Sequence, residues 1–422
     1  MPRFPTLTET QTYREMIETF AGYNHNLRIG DGEWQTTFNL TNDDYPVLSE
    51  RKKRGLVHTM QNPQGLIAKD SLAYIDDGVL YYNGYDMSSY LPGVSISDGE
   101  KTMVSMGAYL CIFPDGIYLN TEDFEDAGLM SNVVTLDAAS TNITFTLSKV
   151  DGSAIEITYT QSEEPEEPEN GAYWLDTSDP DQHTLKIYAA STAMWTPVPT
   201  VYTRIDADGI GAGFEKHDGI RLSGLEASEY YDGEAWKPAE ENDQKQIDAL
   251  NASLPIYDVG GTYLLVVGII DRKIRQTAGS VTVSRKVPDM DFVTECGNRL
   301  WGCKYGVVGG ETVNEIYCCV LGDFKNWSRY LGVSTDSWTA SQGTDGQWTG
   351  AITHLGYPLF FKEGCIHKVY PSASGAHQIT VTNCRGVQKG SHKSLRIVNE
   401  VLYYKSRSDV CSYDGSLPVS VS

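Results

Sequence analysis

The residues able to do chemistry are spread thinly along this chain. Eight histidines stand at positions 25, 58, 183, 217, 354, 367, 377 and 392, and eight cysteines at 111, 296, 303, 318, 319, 365, 384 and 411. The cysteines form no C-x-x-C pair, and the adjacent Cys318 and Cys319 suit neither a zinc site nor a disulfide framework. Seven of the eight lie beyond residue 290, several within aromatic strand patterns, where a free thiol serves as a small core residue. Such usage fits a chain made in a reducing cytoplasm. The histidines do not cluster; His354 and His367 fall on neighbouring strand patterns and read as packing or surface residues.

Carboxylates are the remaining candidates. Asp206 with Asp208, or Asp176 with Asp179 and Asp181, could present oxygen ligands to a hard cation. A calcium loop would also need a bidentate Glu at its twelfth position, and none falls there. The sequence contains no G-x-S-x-G elbow, H-E-x-x-H helix, P-loop or G-x-G-x-x-G turn opening a helix. Gly209-Ile-Gly-Ala-Gly213 reads as a turn. Thr344-Asp-Gly-Gln-Trp348 has Asp and Trp too close together for the Asp-box of sialidase propellers, and it too reads as a β-turn. Glycoside hydrolysis would require two carboxylates brought roughly 5–10 Å apart across a groove, which spacing in sequence cannot decide. No catalytic residue, metal ligand or cofactor site is assigned, and the expectation is a protein that is not an enzyme.

The elements behind these residues are strands. Apolar residues make up 40% of 422, with 26 Tyr and 8 Trp beside 40 Gly and 17 Pro, a balance favouring short strands and many turns. The fold class expected is all-β. Two short helices are expected, one over Thr12–Phe20, where Tyr13, Met16, Ile17 and Phe20 share a face, and one over Glu240–Leu250. Glu163-Glu-Pro-Glu-Glu-Pro-Glu-Asn170 should be an extended acidic linker. After it, Tyr173-Trp-Leu-Asp, Thr184-Leu-Lys-Ile-Tyr and Trp195 read as a small β-meander.

A loose repeat of paired aromatic strands sets the architecture. It runs through Asp70–Gly84, Met106–Leu119, Cys296–Gly306 with Asn314–Val320, Leu355–Tyr370 and Val398–Gly415. The last two copies start 43 residues apart. Spacing of about 40–50 residues suits the blades of a β-propeller, the plainer reading being a β-sandwich. The organisation expected is an N-terminal arm with loop and short strand over 1–60, first blades over 61–130, an intervening β-region over 131–285 that holds the acidic linker 163–170 and the Trp-rich meander, and further blades over 286–422.

Charge narrows the partners. With 56 acidic and 33 basic residues the net charge is −23, which repels nucleic-acid phosphate. The basic run Arg51-Lys-Lys-Arg54 reads as a solvated turn. Residues 1–12 hold no apolar signal segment, and the longest apolar run, Tyr263–Ile270, is too short to span a bilayer. No membrane partner is expected.

From Arg285 onward the chain resembles a family of virion proteins of tailed phages and prophages of Gram-positive bacteria. The likeness is carried by Arg285-Lys-Val-Pro-Asp-Met-Asp-Phe-Val-Thr-Glu-Cys-Gly-Asn-Arg-Leu-Trp-Gly-Cys303, Leu321-Gly-Asp-Phe-Lys-Asn-Trp327 and Ser334-Thr-Asp-Ser-Trp338. It continues through Phe360-Phe-Lys-Glu-Gly-Cys-Ile-His-Lys-Val-Tyr370 and Cys384-Arg-Gly-Val-Gln-Lys-Gly-Ser391. Tyr23-Asn-His-Asn26 and Leu40–Leu48 resemble the start of the same family, and Trp174-Leu-Asp-Thr-Ser178 resembles a module of many phage tail proteins. More distantly, the repeat half is similar to the tail-closure (stabilisation) propellers of short-tailed phages. That resemblance implies a homo-oligomeric ring at the neck, tail end or tail tip of a virion, contacting portal, neck or tail subunits and meeting nucleic acid only as genome in a tail channel. It also implies family members that continue past Ser422, so that this chain is a fragment or closes with fewer blades. The alternative is a carbohydrate-binding receptor protein at the tail tip, stacking sugars on Tyr82, Tyr85, Tyr90, Trp195, Tyr230 and Tyr231.

Overall fold

A computed structural model describes residues 16–24, 26–41, 43–56, 58–179 and 182–421. Strand accounts for 44% of the chain and helix for 5%, which makes the protein all-β in substance. Most of the strands fall into five antiparallel four-stranded meanders, each in simple sequence order.

The first sheet comprises Pro63–Lys69, Ser71–Asp76, Val79–Tyr82 and Tyr85–Asp86; the second Thr102–Met106, Tyr109–Phe113, Ile117–Asn120 and Ala127–Leu129. The third comprises Phe292–Glu295, Leu300–Val308, Glu311–Cys318 and Trp338–Ser341, and the fourth Gly350–His354, Tyr357–Lys362, Cys365–Tyr370 and Gln378–Asn383. The fifth comprises Arg396–Val398, Val401–Lys405, Val410–Tyr413 and Val419–Ser420.

Successive sheets stack face to face, because neighbouring side chains along a strand point to opposite faces. Ile75 and Leu80 of the first sheet meet Leu110, Ile112 and Leu119 of the second in one core. Val104, Cys111 and Phe113 on the second sheet's other face meet Leu300, Phe324 and Trp327. Trp301, Cys303 and Ile316 then pack on Phe360 and Val369, while Leu359 and Phe361, on either side of Phe360, pack on Leu402, Tyr404 and Cys411 of the fifth sheet. All eight cysteines are free thiols and seven are buried.

Between the second and third sheets the chain makes a separate β-unit. Its outgoing strand Asn132–Asp137 pairs antiparallel with its returning strand Ser280–Arg285, from Asn132 opposite Arg285 to Asp137 opposite Ser280. These two edge a ten-stranded sheet wrapped around one core that includes Phe145, Ile205, Leu222, Leu264 and Val283. The meander Tyr173–Asp176, Thr184–Ala189, Met194–Pro197 adds Leu175 and Leu185 to that core, with Tyr159–Gln161 pairing parallel to its first strand. The helix Glu241–Leu250 starts with a reciprocal cap between Glu240 and Asp243 and buries Ile247 and Leu250.

The helix expected over Thr12–Phe20 begins outside the described residues, and 16–20 carry no helix. Within 16–20, Met16 is 81% exposed and has no core beneath it to support a helical turn. Residues 163–169 form no regular element, the Gly209–Gly213 segment is a turn, and Arg51–Arg54 are exposed.

One buried carboxylate, ion-paired within the inserted unit, also ties that unit to the stacked sheets. Asp218 is fully buried, and its carboxylate accepts hydrogen bonds from Arg285 Nη1, from Asn326 Nδ2 at 2.6 Å and from Glu215 N at 2.9 Å. Arg285 ends the returning strand; Asn326 belongs to the long connection between the third and fourth strands of the third sheet. Next to them Gly219 N donates to Ser328 O, and Ser328 Oγ donates to Gly219 O at 2.8 Å.

Two stability measurements follow. Asp218→Ala leaves Arg285 buried without a counter-ion and should cost about 3–5 kcal/mol in urea unfolding, whereas Asp218→Leu with Arg285→Met should recover most of the loss. His367 is fully buried, and burial together with the nearby Lys362 charge lowers its pKa from 6.5 to about 4. The unfolded chain therefore takes up this proton first, and stability falls as pH drops from about 6.5 to 4, by about 3 kcal/mol. His367→Gln should flatten that part of the profile.

Candidate interaction surface

Each inner sheet of the stack has both faces covered, but the stack has two ends. Among the described residues no hydrophobic cluster joins the first sheet to the fifth. On the first sheet's outer face the register sets Leu66 opposite Tyr74, Tyr81 and Asp86 in turn, with Ala68 opposite Leu72. Leu66 is 64% exposed and Leu72 40%. Tyr74 is buried because the Tyr81 ring stacks on it at 4.9 Å and the His58 ring lies 5.2 Å away.

The fifth sheet's outer face lines up Arg396, Tyr403, Ser412 and Val419, with Val398 opposite Val401. Val398 and Val419 are 54% and 62% exposed. The charged strand residues on this face, Arg396 and Lys405, are both cations; those on the first sheet's outer face, Asp76 and Asp86, are both carboxylates. Among the described residues the two end faces are thus largely apolar, covered by no further sheet, and opposite in charge.

The stack also curves. The leading strands of successive sheets lie side by side, with Gly65 against Met103 and Thr294 Oγ1 3.0 Å from Thr353 Oγ1. At their start His392 Nε2 and Lys393 Nζ, just before the fifth sheet, reach Glu100 Oε1, just before the second, at 2.9 and 3.0 Å. The Phe292 and His392 rings approach to 5.4 Å. Burial raises the Glu100 carboxyl, but its bonds to Lys393 and His392 prevail and hold it below the usual carboxylate range. A flat stack could not bring the fifth sheet back to the second.

The six aromatic candidates separate. Tyr82 is buried and Tyr90 half-buried, both edge-on to Phe124 at 5.9 and 5.4 Å. Trp195 is ringed by Trp174, Tyr188 and Tyr159 at 5.4, 5.2 and 6.2 Å. The Arg272 guanidinium covers Tyr230 at 3.3 Å. Only Tyr85, 68% exposed, and Tyr231, 37% exposed beside Trp236, present rings to a ligand.

The candidate acids and histidines are mostly engaged. Asp176 accepts from Lys186 Nζ at 2.7 Å and Ser178 N at 3.0 Å; burial opposes these bonds, yet the carboxyl is held at about 2. Asp206 bonds Arg204 Nε at 2.8 Å, Asp208 sits in a turn, and Asp181 and His25 lie outside the described residues. Among the described residues no three His, Cys, Asp or Glu side chains gather as a metal site would require. His354 faces the fifth sheet and bonds Glu400 O at 2.6 Å, while His367 faces the third and bonds Thr344 Oγ1 at 2.9 Å, so the two do not meet. Two carboxylates do share one groove, Asp345 and Glu363, although Glu363 accepts the Lys389 N–H at 3.1 Å. Sequence reasoning did not pick out this groove, because its residues are scattered from 343 to 389. No described helix is long and apolar enough to cross a membrane.

The open end faces predict a sharp contrast in stability. Leu66→Glu and Val398→Glu should each stay within about 0.5 kcal/mol of the parent in urea unfolding, whereas Phe360→Ala, inside the stack, should cost about 3–5 kcal/mol. No protein-family model matches the chain, and no curated protein matches it in sequence.

Proposed function

We propose that this chain is a structural component of a tailed-phage virion, at the neck, tail end or tail tip, and that it works through interfaces between copies arranged in a ring. The observation that carries the reading is the pair of exposed apolar end faces, one bearing Asp76 and Asp86 and the other Arg396 and Lys405. The five stacked four-stranded sheets, curved so that Lys393 reaches Glu100, support a β-propeller left open between its first and fifth sheets. Two different faces that fit each other make a head-to-tail contact, which closes into a ring when its rotation allows. The phage setting rests on the sequence resemblance from Arg285 onward, and the net charge of −23 keeps unassembled subunits apart in solution.

A second reading, carbohydrate recognition, is favoured by the exposure of Tyr85 and Tyr231. It rests on two rings on separate elements and has less behind it.

Mass photometry of the purified chain, alone and with neighbouring virion gene products, tests the proposal. A discrete oligomer that Leu66→Glu or Val398→Glu disperses is the expected result. A monomer under every condition overturns it, whether because the first sheet closes on the fifth within one chain or because the faces stay wet; a glycan array is then the next experiment.

A further inference from the structure

Lys362 ends the strand Tyr357–Lys362, where its side chain turns inward and the residue is only 2% exposed. Its ammonium donates to Asn314 Oδ1 at 3.0 Å and Thr344 O at 2.7 Å, and lies over the Trp348 ring at 4.5 Å. These partners are neutral, and no carboxylate among the described residues comes within ion-pair distance. A buried cation without a counter-ion is expensive to keep. Burial accordingly lowers the Lys362 ammonium from its usual range.

Lys362 also lines a cavity of about 500 Å³ beside the tip of the hairpin that it begins. Thr349, 3% exposed, lines the same cavity, and its buried hydroxyl has no hydrogen-bond partner. A buried hydroxyl left unsatisfied beside a cavity asks for an explanation, and a bound polar group is one. The Gly-rich loop from Gly343 to Gln347 forms one wall, and none of its five N–H groups donates to a protein acceptor among the described residues. The Lys362 backbone is itself tightly held, since a Cβ at Gly386 would stand 1.8 Å from Lys362 O. The cavity thus has an ammonium and a hydroxyl on its buried side and unpaired loop amides on its exposed wall. The rim is mixed, with Asp345, Glu363, Asn383 and Lys389, groups that pair with hydroxyls of either polarity.

We propose that this cavity binds a small hydroxylated ligand through one oxyanion group, a carboxylate or a phosphate, seated against Lys362 and Thr349. The oxyanion supplies the missing counter-charge and takes the unused hydroxyl, and the rim holds the sugar-like remainder. The site is independent of the end faces and of ring assembly.

Isothermal titration of the full chain with D-glucuronate, D-glucose 6-phosphate and neutral D-glucose tests the assignment, the two acids separating the carboxylate from the phosphate source. One acid should bind at least about tenfold tighter than D-glucose, and Lys362→Met should weaken it by about tenfold or more. Thr349→Val is the variant that separates binding from folding. It should weaken the same acid while leaving the melting temperature equal or higher, because it removes an unsatisfied buried hydroxyl. Failure of both acids to bind at 10-millimolar order (~10 mM) overturns the proposal. So does equal binding by D-glucose, or an affinity untouched by Thr349→Val and Lys362→Met.

Discussion

The placing of the inserted unit on the stacked sheets depends on the buried Asp218 carboxylate, which pairs with Arg285 and reaches Asn326. Removing two charges from water carries a penalty of several kcal/mol per ion, which their attraction offsets only with full hydrogen bonding. The carboxylate side meets that demand with Arg285, Asn326 and the Glu215 amide, while Arg285 Nε is buried without a hydrogen-bond partner. The three partners come from the returning strand, from the third sheet's connection and from the inserted unit itself. Arg285 and the Glu215 amide belong to the unit itself, so it is the Asn326 bond that relates the ten-stranded unit to the stack. Its worth lies in that selection of one geometry more than in net stability.

The stack follows a simpler rule. A four-stranded meander with apolar residues on both faces is stable only between two others, and each of the three inner sheets has its two neighbours. The end sheets have one each. Their outermost strands, Tyr85–Asp86 and Val419–Ser420, are two residues long, so they offer little edge for unwanted strand pairing. At the ends of the stack the exposed apolar residues lie on the sheet faces, where shape and charge select the partner, while the short outermost strands offer little edge.

What the sequence disclosed tracks what short-range pattern encodes. The middle pairs of the sheets were legible as paired aromatic runs, such as Leu80-Tyr-Tyr beside Ala73-Tyr-Ile and Leu402-Tyr-Tyr beside Val410-Cys-Ser-Tyr. The flanking strands were not: Gln378–Asn383 and Arg396–Val398 are polar or short and become strands only by pairing with their neighbours. The helix Glu241–Leu250 was legible in the sequence, whereas residues 16–20, which share the helical spacing, carry no helix, and Phe20 packs its ring 6.3 Å from Trp34. The order of the ten-stranded sheet depends on pairings such as Asn132 with Arg285, about which local pattern says nothing. The Lys362 cavity was missed for the same reason. The one available signal was a lysine ending the apolar run Tyr357-Pro-Leu-Phe-Phe, a position that a solvated residue would not share with four buried neighbours.

The pairing of the outgoing and returning strands of the inserted unit has a genetic consequence. Paired strands lie about 5 Å apart, so the unit's two ends are almost a single point on the host sheets. A recombination with only two junctions, near residues 131 and 286, would exchange this unit for any other whose ends meet as closely. The donor would have to bring one thing besides its own core, a carboxylate placed like Asp218 within reach of Asn326. Lineages could therefore diversify this part of the protein quickly while the stacked sheets, which answer to one another on every inner face, change slowly.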